Sequence, residues 1–252
     1  MTISRAQLAK ELEPGLNALF GLEYDRYENE AAQIFEAESS DRAFEEEVML
    51  SGFGTAPVKS EGSAISFDDA QETYTARYTM ETIALAFSIT EEAVEDNLYD
   101  RLAARYTRAL ARSMAQTKQI KGATVLNNAF LTTSPIGDGA ALCSAAHPSL
   151  SGNQTNLLAT AADLNETSLE EILIQIAGFT DERGLKIAVR GTKLLIPKEL
   201  QFIAERVINS NLRPGTADND INAMKSMGML PEGAVVNHFF TDADAYFVKT
   251  DC

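Results

Sequence analysis

Three features of this 252-residue chain predict an α+β fold in which a very long helix separates a strand-forming arm from a compact mixed half. The first is Ser88 to Asn128, a run of helical period whose charges are sorted along its length. Glu91, Glu92, Glu95, Asp96 and Asp100 come first, and Arg101, Arg105, Arg108, Arg112, Lys118 and Lys121 follow with no acid among them. Anions near a helix N-terminus and cations toward its C-terminus both suit the macrodipole. The second is the stretch from Val48 to Ile89, where apolar and polar residues alternate between glycine and proline breaks, a strand signature. The third is the remainder, where helical and alternating patterns are interleaved over short segments.

Composition narrows the class. Hydrophobic residues make up 45% of the chain, enough for a real core. No apolar run approaches the ~20 residues of a membrane helix. Met1-Thr2-Ile3-Ser4-Arg5 lacks the apolar stretch of a signal peptide, so the chain reads as cytosolic with no membrane role. Cys143 and Cys252 form neither a disulfide framework nor a paired zinc spacing. A net charge of -16 excludes a protein whose whole surface grips nucleic acid, because phosphates reward Lys and Arg. The acids are uneven, with Glu45, Glu46 and Glu47 in a row and many more between Glu11 and Asp41. Such a segment is either solvated or laid against a basic surface of another copy.

In chain order, residues 1–47 read as an arm. A short amphipathic helix around Ala6 to Phe20 is interrupted by Pro14, and an acidic stretch with isolated anchors (Tyr24, Tyr27, Ile34, Phe35) follows. From Val48 the breaks at Gly52, Gly54 and Pro57 lead to a hairpin tip at Ser60-Glu61-Gly62-Ser63, with Ile65 and Phe67 alternating on the return limb. Tyr74, Ala76, Tyr78 and Met80 share one face of the next strand, and Ile83, Leu85, Phe87 and Ile89 resume one residue out of phase, which predicts a bulge or bend near Glu81. A two-stranded arm of this kind is marginal alone and is expected to rest on a neighbour.

Ser88 and Glu91 form a capping-box signature for the long helix. Val94, Leu98, Leu102, Tyr106, Leu110, Met114 and Thr117 recur at helical spacing as a core-facing stripe, Arg101, Arg105, Arg108 and Arg112 occupy a separate face, and Gly122 marks a kink. At ~1.5 Å per residue a run of roughly 40 residues reaches about 60 Å. A subunit of this size cannot cover such a rod, so much of it should face something outside.

After irregular loops to Ala162, Thr167 and Glu170 repeat the capping-box pattern ahead of Leu169, Leu173, Ile176 and Ala177. Strands are expected at Ile187 to Val189 and Leu194 to Ile196. Pro197 then opens a helix bearing Leu200, Ile203, Ala204 and Val207. A polar loop from Ser210 to Asp220 precedes a short helix, and strands at Val235 to Phe240 and Ala245 to Lys249 are joined around Thr241-Asp242-Ala243-Asp244.

Chemistry-bearing motifs are sparse. Cys143 and His147 lie four apart before Pro148, with no third member of a nucleophile, base and orienter set. Asp218-Asn219-Asp220-Ile221-Asn222 opens like a calcium loop, but Ala223 and Met229 stand where the turn glycine and the bidentate Glu belong. Gly137-Asp138-Gly139 is no phosphate loop, and no dinucleotide-binding glycine motif occurs. No metal or cofactor is implied. The Arg face has three readings: a solvated helix surface, an ion-paired contact with acidic segments of adjacent subunits, or a contact with passing nucleic acid. The first is the bland reading; of the two functional ones the ion-paired contact is favoured, with Arg101, Arg105, Arg108, Arg112, Lys59, Glu45, Glu46 and Glu47 as candidate intersubunit contacts.

Several local stretches resemble tailed-bacteriophage major capsid proteins of the Hong Kong 97-type fold, in the Mu-like head subunit branch. They are Gly52-Phe53-Gly54-Thr55-Ala56-Pro57, Tyr74-Thr75-Ala76-Arg77-Tyr78-Thr79, Ile89-Thr90-Glu91-Glu92-Ala93-Val94-Glu95-Asp96, and Ala145-Ala146-His147-Pro148 followed by Asn153 to Leu157. Leu195-Ile196-Pro197-Lys198-Glu199-Leu200 and Phe240 to Thr250 are similar to the axial-domain core of that family. The resemblance implies an N-terminal arm over 1–47, an extended β-hairpin loop over 48–87, a peripheral domain with a spine helix over 88–139, an α/β axial domain over 140–245, and the start of a return to the peripheral domain over 246–252. It also implies self-assembly into hexamers and pentamers of an icosahedral head enclosing double-stranded DNA, with no enzyme activity and with scaffold, portal and cement proteins as possible partners. In the family the chain continues past the position of Thr250-Asp251, so a longer parent protein is expected. The rivals are a soluble enzyme with a pocket near Cys143 and His147, or another virion component such as a tail or decoration protein.

Overall fold

A computed structural model describes residues 17–88, 99–213 and 220–252, which fall into two compact units. The first comprises 17–37, 81–88 and 99–122; the second comprises 38–80, 123–213 and 220–252.

In the first unit, residues 17–25 are helical, and α1 (Glu30–Ile34) is capped by Asn29, whose side chain accepts the Ala32 N–H at 3.2 Å. The long helix α2 is described from Tyr99 to Asn127, 29 residues or about 44 Å. The first 16 residues with Pro14, and residues 89–98 with the Glu91 half of the expected capping box, lie outside the described residues.

The buried row of α2 differs from the expected one. Ala103, Thr107, Ala111, Ala115 and Gln119 are buried at four-residue intervals, whereas Tyr106 is half exposed and Leu110, Met114 and Thr117 are only partly covered. Small side chains let another backbone come closer than a Leu/Met ridge does, so the alanine row takes the contact. Gln119 sits at its end, accepting the Ala31 N–H at 2.9 Å and donating to Asn29 Oδ1 at 3.0 Å. Gly122 makes no break, since the helix continues to Asn127; a Cβ there would stand 2.7 Å from the Ala31 Cβ, and close approach is what requires the glycine. The expected strand over Ile83 to Ile89 is not formed among its described residues, 83–88, and Phe87 instead packs its ring 6.0 Å from that of Tyr106.

The second unit contains both sheets. β1 (Phe44–Leu50) and β2 (Glu72–Thr79) form an antiparallel ribbon, so Glu45, Glu46 and Glu47 lie on a ladder instead of in the arm. The irregularity falls at Val48/Leu50, not near Glu81, because β2 ends at Thr79. Ile65 and Phe67 join no strand.

The other sheet has the order β4-β3-β5, built from β3 (Gly191–Pro197), β4 (Ala234–Asn237) and β5 (Phe247–Thr250). β4 is parallel to β3 and β5 antiparallel to it, so the two C-terminal strands do not pair with each other; β3 lies between them. Ile187 to Val189 is not a strand, because Ala188 holds φ at +52°, outside the β region.

Helix α3 (Glu166–Ala177) begins two residues before the expected box. The Asn165 side chain accepts the Ser168 N–H at 2.9 Å, and the Ser168 Oγ accepts the Asn165 N–H at 3.0 Å. A short 3₁₀ turn (Lys198–Leu200) leads into α4 (Gln201–Asn209), and α5 (Ala223–Met227) is capped by Asn222. Asn222 is fully buried and donates to Val207 O at 2.7 Å, which commits it to folding and removes it from any cation loop. Leu169 and Leu173 of α3, Leu194 and Ile196 of β3, and Leu200, Ala204 and Val207 around α4 form the core as the spacing predicted.

Gly191 is where α3, β3 and β5 converge. A Cβ there would lie 2.7 Å from Leu173 Cδ2 and 2.9 Å from Val248 Cγ1. Gly191→Ala is expected to destabilise by about 1–3 kcal/mol through overpacking. Gly21→Ala, in the helical stretch with nothing within 4 Å of the added Cβ, should stabilise by about 0.4–1 kcal/mol. Urea denaturation of both variants checks the opposite signs.

Candidate functional site

A two-stranded ribbon needs a support for its faces, and here part of that support comes from the same chain. A Cβ at Gly137 would lie 2.8 Å from the Ala76 Cβ, and Tyr74 crowds the same spot, so the 132–139 loop packs directly beneath β2. Burial there pushes the Tyr74 hydroxyl up, with Asp138 and Glu182 adding to the effect by repulsion of a phenolate. On the ribbon, Arg77 stacks over the Phe44 ring at 4.5 Å and grips Glu46 through Nη2 at 2.5 Å and Nε at 2.7 Å. Glu46 and Arg77 are opposite residues in the ladder, which makes this a cross-strand pair.

The neck of the 51–71 loop is tied by a polar clamp. The Asp68 carboxylate accepts the Gly54 N–H at 2.7 Å and Arg183 Nη2 at 2.6 Å, and Ser51 N–H donates to Gln71 O at 2.8 Å. These contacts, the Gly54 amide first and the Arg183 guanidinium next, hold the Asp68 carboxyl below the usual range. Beyond the neck the loop is bare: Val58 is 99% exposed and Phe67 96%. The clamp was invisible to sequence reasoning, which had no signal linking Asp68 to a residue 115 positions away.

The predicted contact residues divide. Glu46 is taken by Arg77, Glu47 accepts the Tyr78 hydroxyl at 3.3 Å, and Glu45 accepts the Ser40 hydroxyl at 2.5 Å and faces Arg42 at 3.5 Å. The acidic triplet is therefore partly spent within its own chain. On α2, Arg108 meets Glu23 at 3.5 Å, while Arg105 and Arg112 are exposed with no acidic partner among the described residues. The Arg101 side chain is outside the described residues. Lys59 is exposed and likewise has no partner among them.

Cys143 and His147 do not form a catalytic pair. Burial pushes the Cys143 thiol up to about 11, so it is a protonated thiol at neutral pH. It lines a groove of about 670 Å³ with Phe130, Ile172, Ile176, Phe179 and Phe247, but His147 is not among the lining residues. His147 is turned to Asp138, its Nδ1 lying 2.7 Å from Oδ2, and its Nε2 is buried without a partner among the described residues. Among the described residues no group of three His, Cys, Asp or Glu side chains is placed to hold a metal, and no helix is long and apolar enough to cross a membrane.

The surface thus carries an exposed apolar loop and, among the described residues, cations without an acidic partner. A model of the phage capsid protein family matches residues 73–251, and the chain belongs to that family. The membership points to a structural, non-enzymatic role in the virion. Comparison with curated proteins finds no match. Among solved structures, the chain is similar to the capsid of bacteriophage JBD30 decorated with minor capsid protein trimers, with a TM-score of 0.57, 12% identity, and coverage of 80% of this chain and 87% of that one. The bacteriophage JBD30 procapsid gives a TM-score of 0.59 at 14% identity over 94% of this chain and 100% of that one. At these identities the likeness is one of fold.

The neck clamp should respond to acid. A carboxyl held below its ordinary pKa contributes order above that ordinary value and loses it as the pH falls through the lowered one. The protection factor of the Gly54 amide, observed exchange corrected for its intrinsic pH dependence, is expected to drop below the usual aspartate range, and Asp68→Asn should show the lowered protection already at neutral pH. Unchanged exchange in that variant would dismiss the clamp.

Proposed function

We propose that this chain is a major head subunit with a Hong Kong 97-type layout, of the Mu-like branch, that assembles as hexamers and pentamers of an icosahedral shell around double-stranded DNA. On this reading residues 1–47 are the N-terminal arm, 48–87 the extended loop, 88–139 the peripheral domain with its spine helix, and 140–245 the axial domain, with the return to the peripheral domain beginning at 246–252. Assembly takes place in the host cytoplasm, with scaffold, portal and cement proteins as partners. A decorating protein is one such partner, by analogy with the minor capsid protein trimers of the JBD30 capsid.

The observation that carries this reading is the loop between Ser51 and Gln71. It is anchored at its neck, yet it presents Val58, Ile65 and Phe67 to solvent. A chain that orders a segment and then leaves its large apolar side chains bare places it for contact with another molecule. Membership of the capsid family supports another copy as that molecule. The net charge of -16 fits the enclosure of DNA, because a shell that bound phosphates tightly would hinder packing and release.

Arg105 and Arg112, together with Arg101 and Arg108, are the proposed basic contact surface toward acidic segments of adjacent copies, the ribbon acids Glu45, Glu46 and Glu47 included. Lys59 is a further contact at the loop. Each exposed pair is worth only about 0–1 kcal/mol, so the effect accumulates over many copies and is screened by salt.

Electron microscopy of the purified chain should show capsomers or shells; small oligomers alone, across all salt conditions and at high concentration, would sink the reading. Replacing the four arginines with Gln should sharply reduce shell yield while moving subunit stability by no more than about 0.5 kcal/mol, as for ordinary surface changes. Equal loss of folding and assembly would reduce the stripe to local structure.

A further inference from the structure

Beneath β2 lies a buried polar pair that the assembly reading does not use. The 132–139 loop closes on itself, with the Ile136 N–H donating to Ala140 O at 2.8 Å, and Asp138 fills the turn. Its Oδ1 accepts the Ala140 N–H at 2.9 Å, and its Oδ2 lies 2.7 Å from His147 Nδ1. The Asp138 side chain is only 4% exposed. Its neighbour Gly137 is the seat of β2, since the Ala76 Cβ stands 2.8 Å from where a Gly137 Cβ would be. His147 is fixed through its backbone, which exchanges hydrogen bonds of 2.8 and 2.9 Å with Gln154, and the Gln154 side chain donates to Asp181 O at 2.8 Å. One imidazole is thereby coupled to the support of the ribbon.

The geometry suits that imidazole in one charge state. A carboxylate only accepts, so Nδ1 carries the hydrogen, and a neutral ring then leaves a lone pair on Nε2. Nε2 is buried and has no partner among the described residues. A proton there would make a buried cationic N–H without an acceptor, which costs more than an unmet lone pair. Apart from Cys143, His147 is the one ionisable side chain between Asp138 and Asp163. The neighbouring elements bring Tyr74 on β2 and Asp181, Glu182, Arg183 and Lys186 on the 179–187 turn. Asp181 accepts the Arg183 and Leu185 N–H groups at 2.9 and 2.7 Å, Arg183 is held by Asp68, and Lys186 is exposed. Glu182 Oε1 accepts the Thr73 hydroxyl at 3.2 Å, while its Oε2 is buried and likewise has no partner among the described residues. A protonated Nε2 finds its acceptor, water, only if the cover over the ring moves.

We propose that the Asp138–His147 pair is a proton-operated catch for the ribbon: with the imidazole neutral, Gly137 is held against Ala76 and Tyr74, and protonation at Nε2 displaces the 132–139 loop and loosens β2. Asp138 keeps hold of Nδ1 in both states, so the change falls on the Nε2 side. Because the added proton is satisfied only in the displaced position, acid favours that position, and the support of β2 is lost as the pH falls through the His147 titration. The catch works within one copy and stands or falls apart from the shell reading above.

Two measurements on the same protein test it between about pH 5 and 8. Histidine-selective NMR follows the His147 ring, with His238→Gln assigning the two histidines. Hydrogen–deuterium exchange read by mass spectrometry follows residues 72–79, corrected for the intrinsic pH dependence of exchange. Protection of 72–79 should fall roughly tenfold as His147 takes up its proton, with coincident midpoints. His147→Asn, which keeps a neutral amide donor at the Nδ1 position, should retain the protection seen at neutral pH and abolish the fall. A flat profile in the unsubstituted chain, or midpoints that differ, would overturn the catch. A fall that persists unchanged in His147→Asn would assign it to another group, the Asp68 clamp first, and would also overturn it. Should the asparagine loosen β2 at every pH, the two midpoints of the unsubstituted chain decide.

Discussion

A two-stranded ribbon cannot bury both of its faces by itself, and much of the second unit is arranged around that limit. β1 and β2 close only a ladder between them. One contact comes from below, where Ala76 and Tyr74 press on the bare backbone of Gly137. Another comes at the neck, where Asp68 gathers the Gly54 amide and the Arg183 guanidinium. Phe44, Val48, Leu50 and Tyr78 nevertheless stay exposed. The ribbon is held in direction but left unfinished in burial, which suits the assembly proposed above.

Close approach at small residues serves both units. In the first, the row from Ala103 to Gln119 is buried on α2, and Gly122 admits Ala31 to contact distance. In the second, Gly191 brings Leu173 and Val248 against the centre of the sheet. Close packing at these points depends on the absence of a side chain, so added volume is felt at once. The larger apolar side chains of α2, Tyr106 among them, are consequently left on less covered faces.

The electrostatics separate internal from external charge. Glu46 and Arg77 neutralise one another across the ribbon, and Lys121 is paired with Glu81 at 2.6 Å. Arg105 and Arg112 have no such partner among the described residues, and this difference supports their proposed role between copies. The same contrast separates Cys143 from a catalytic thiol: burial keeps it protonated, and the nearby histidine is occupied with Asp138.

Periodicity alone determined the compact core. Leu169, Leu173, Leu194, Ile196, Leu200, Ala204 and Val207 were legible because each recurs at the period of its own element, and burial follows that period directly. The ribbon strand β2 and the long helix were legible for the same reason, whereas the resemblance to capsid subunits rested on local stretches of sequence and their order. Tertiary structure decided what depends on a distant partner. It placed β3 between β4 and β5, chose the alanine row over Tyr106, Leu110 and Met114, and set the cap of α3 at Asn165. It also turned His147 to Asp138 and Asp68 to Arg183. Local spacing ranks faces by hydrophobicity, but the face that is buried is the one whose shape another backbone can approach, and that shape exists only once the chain has folded.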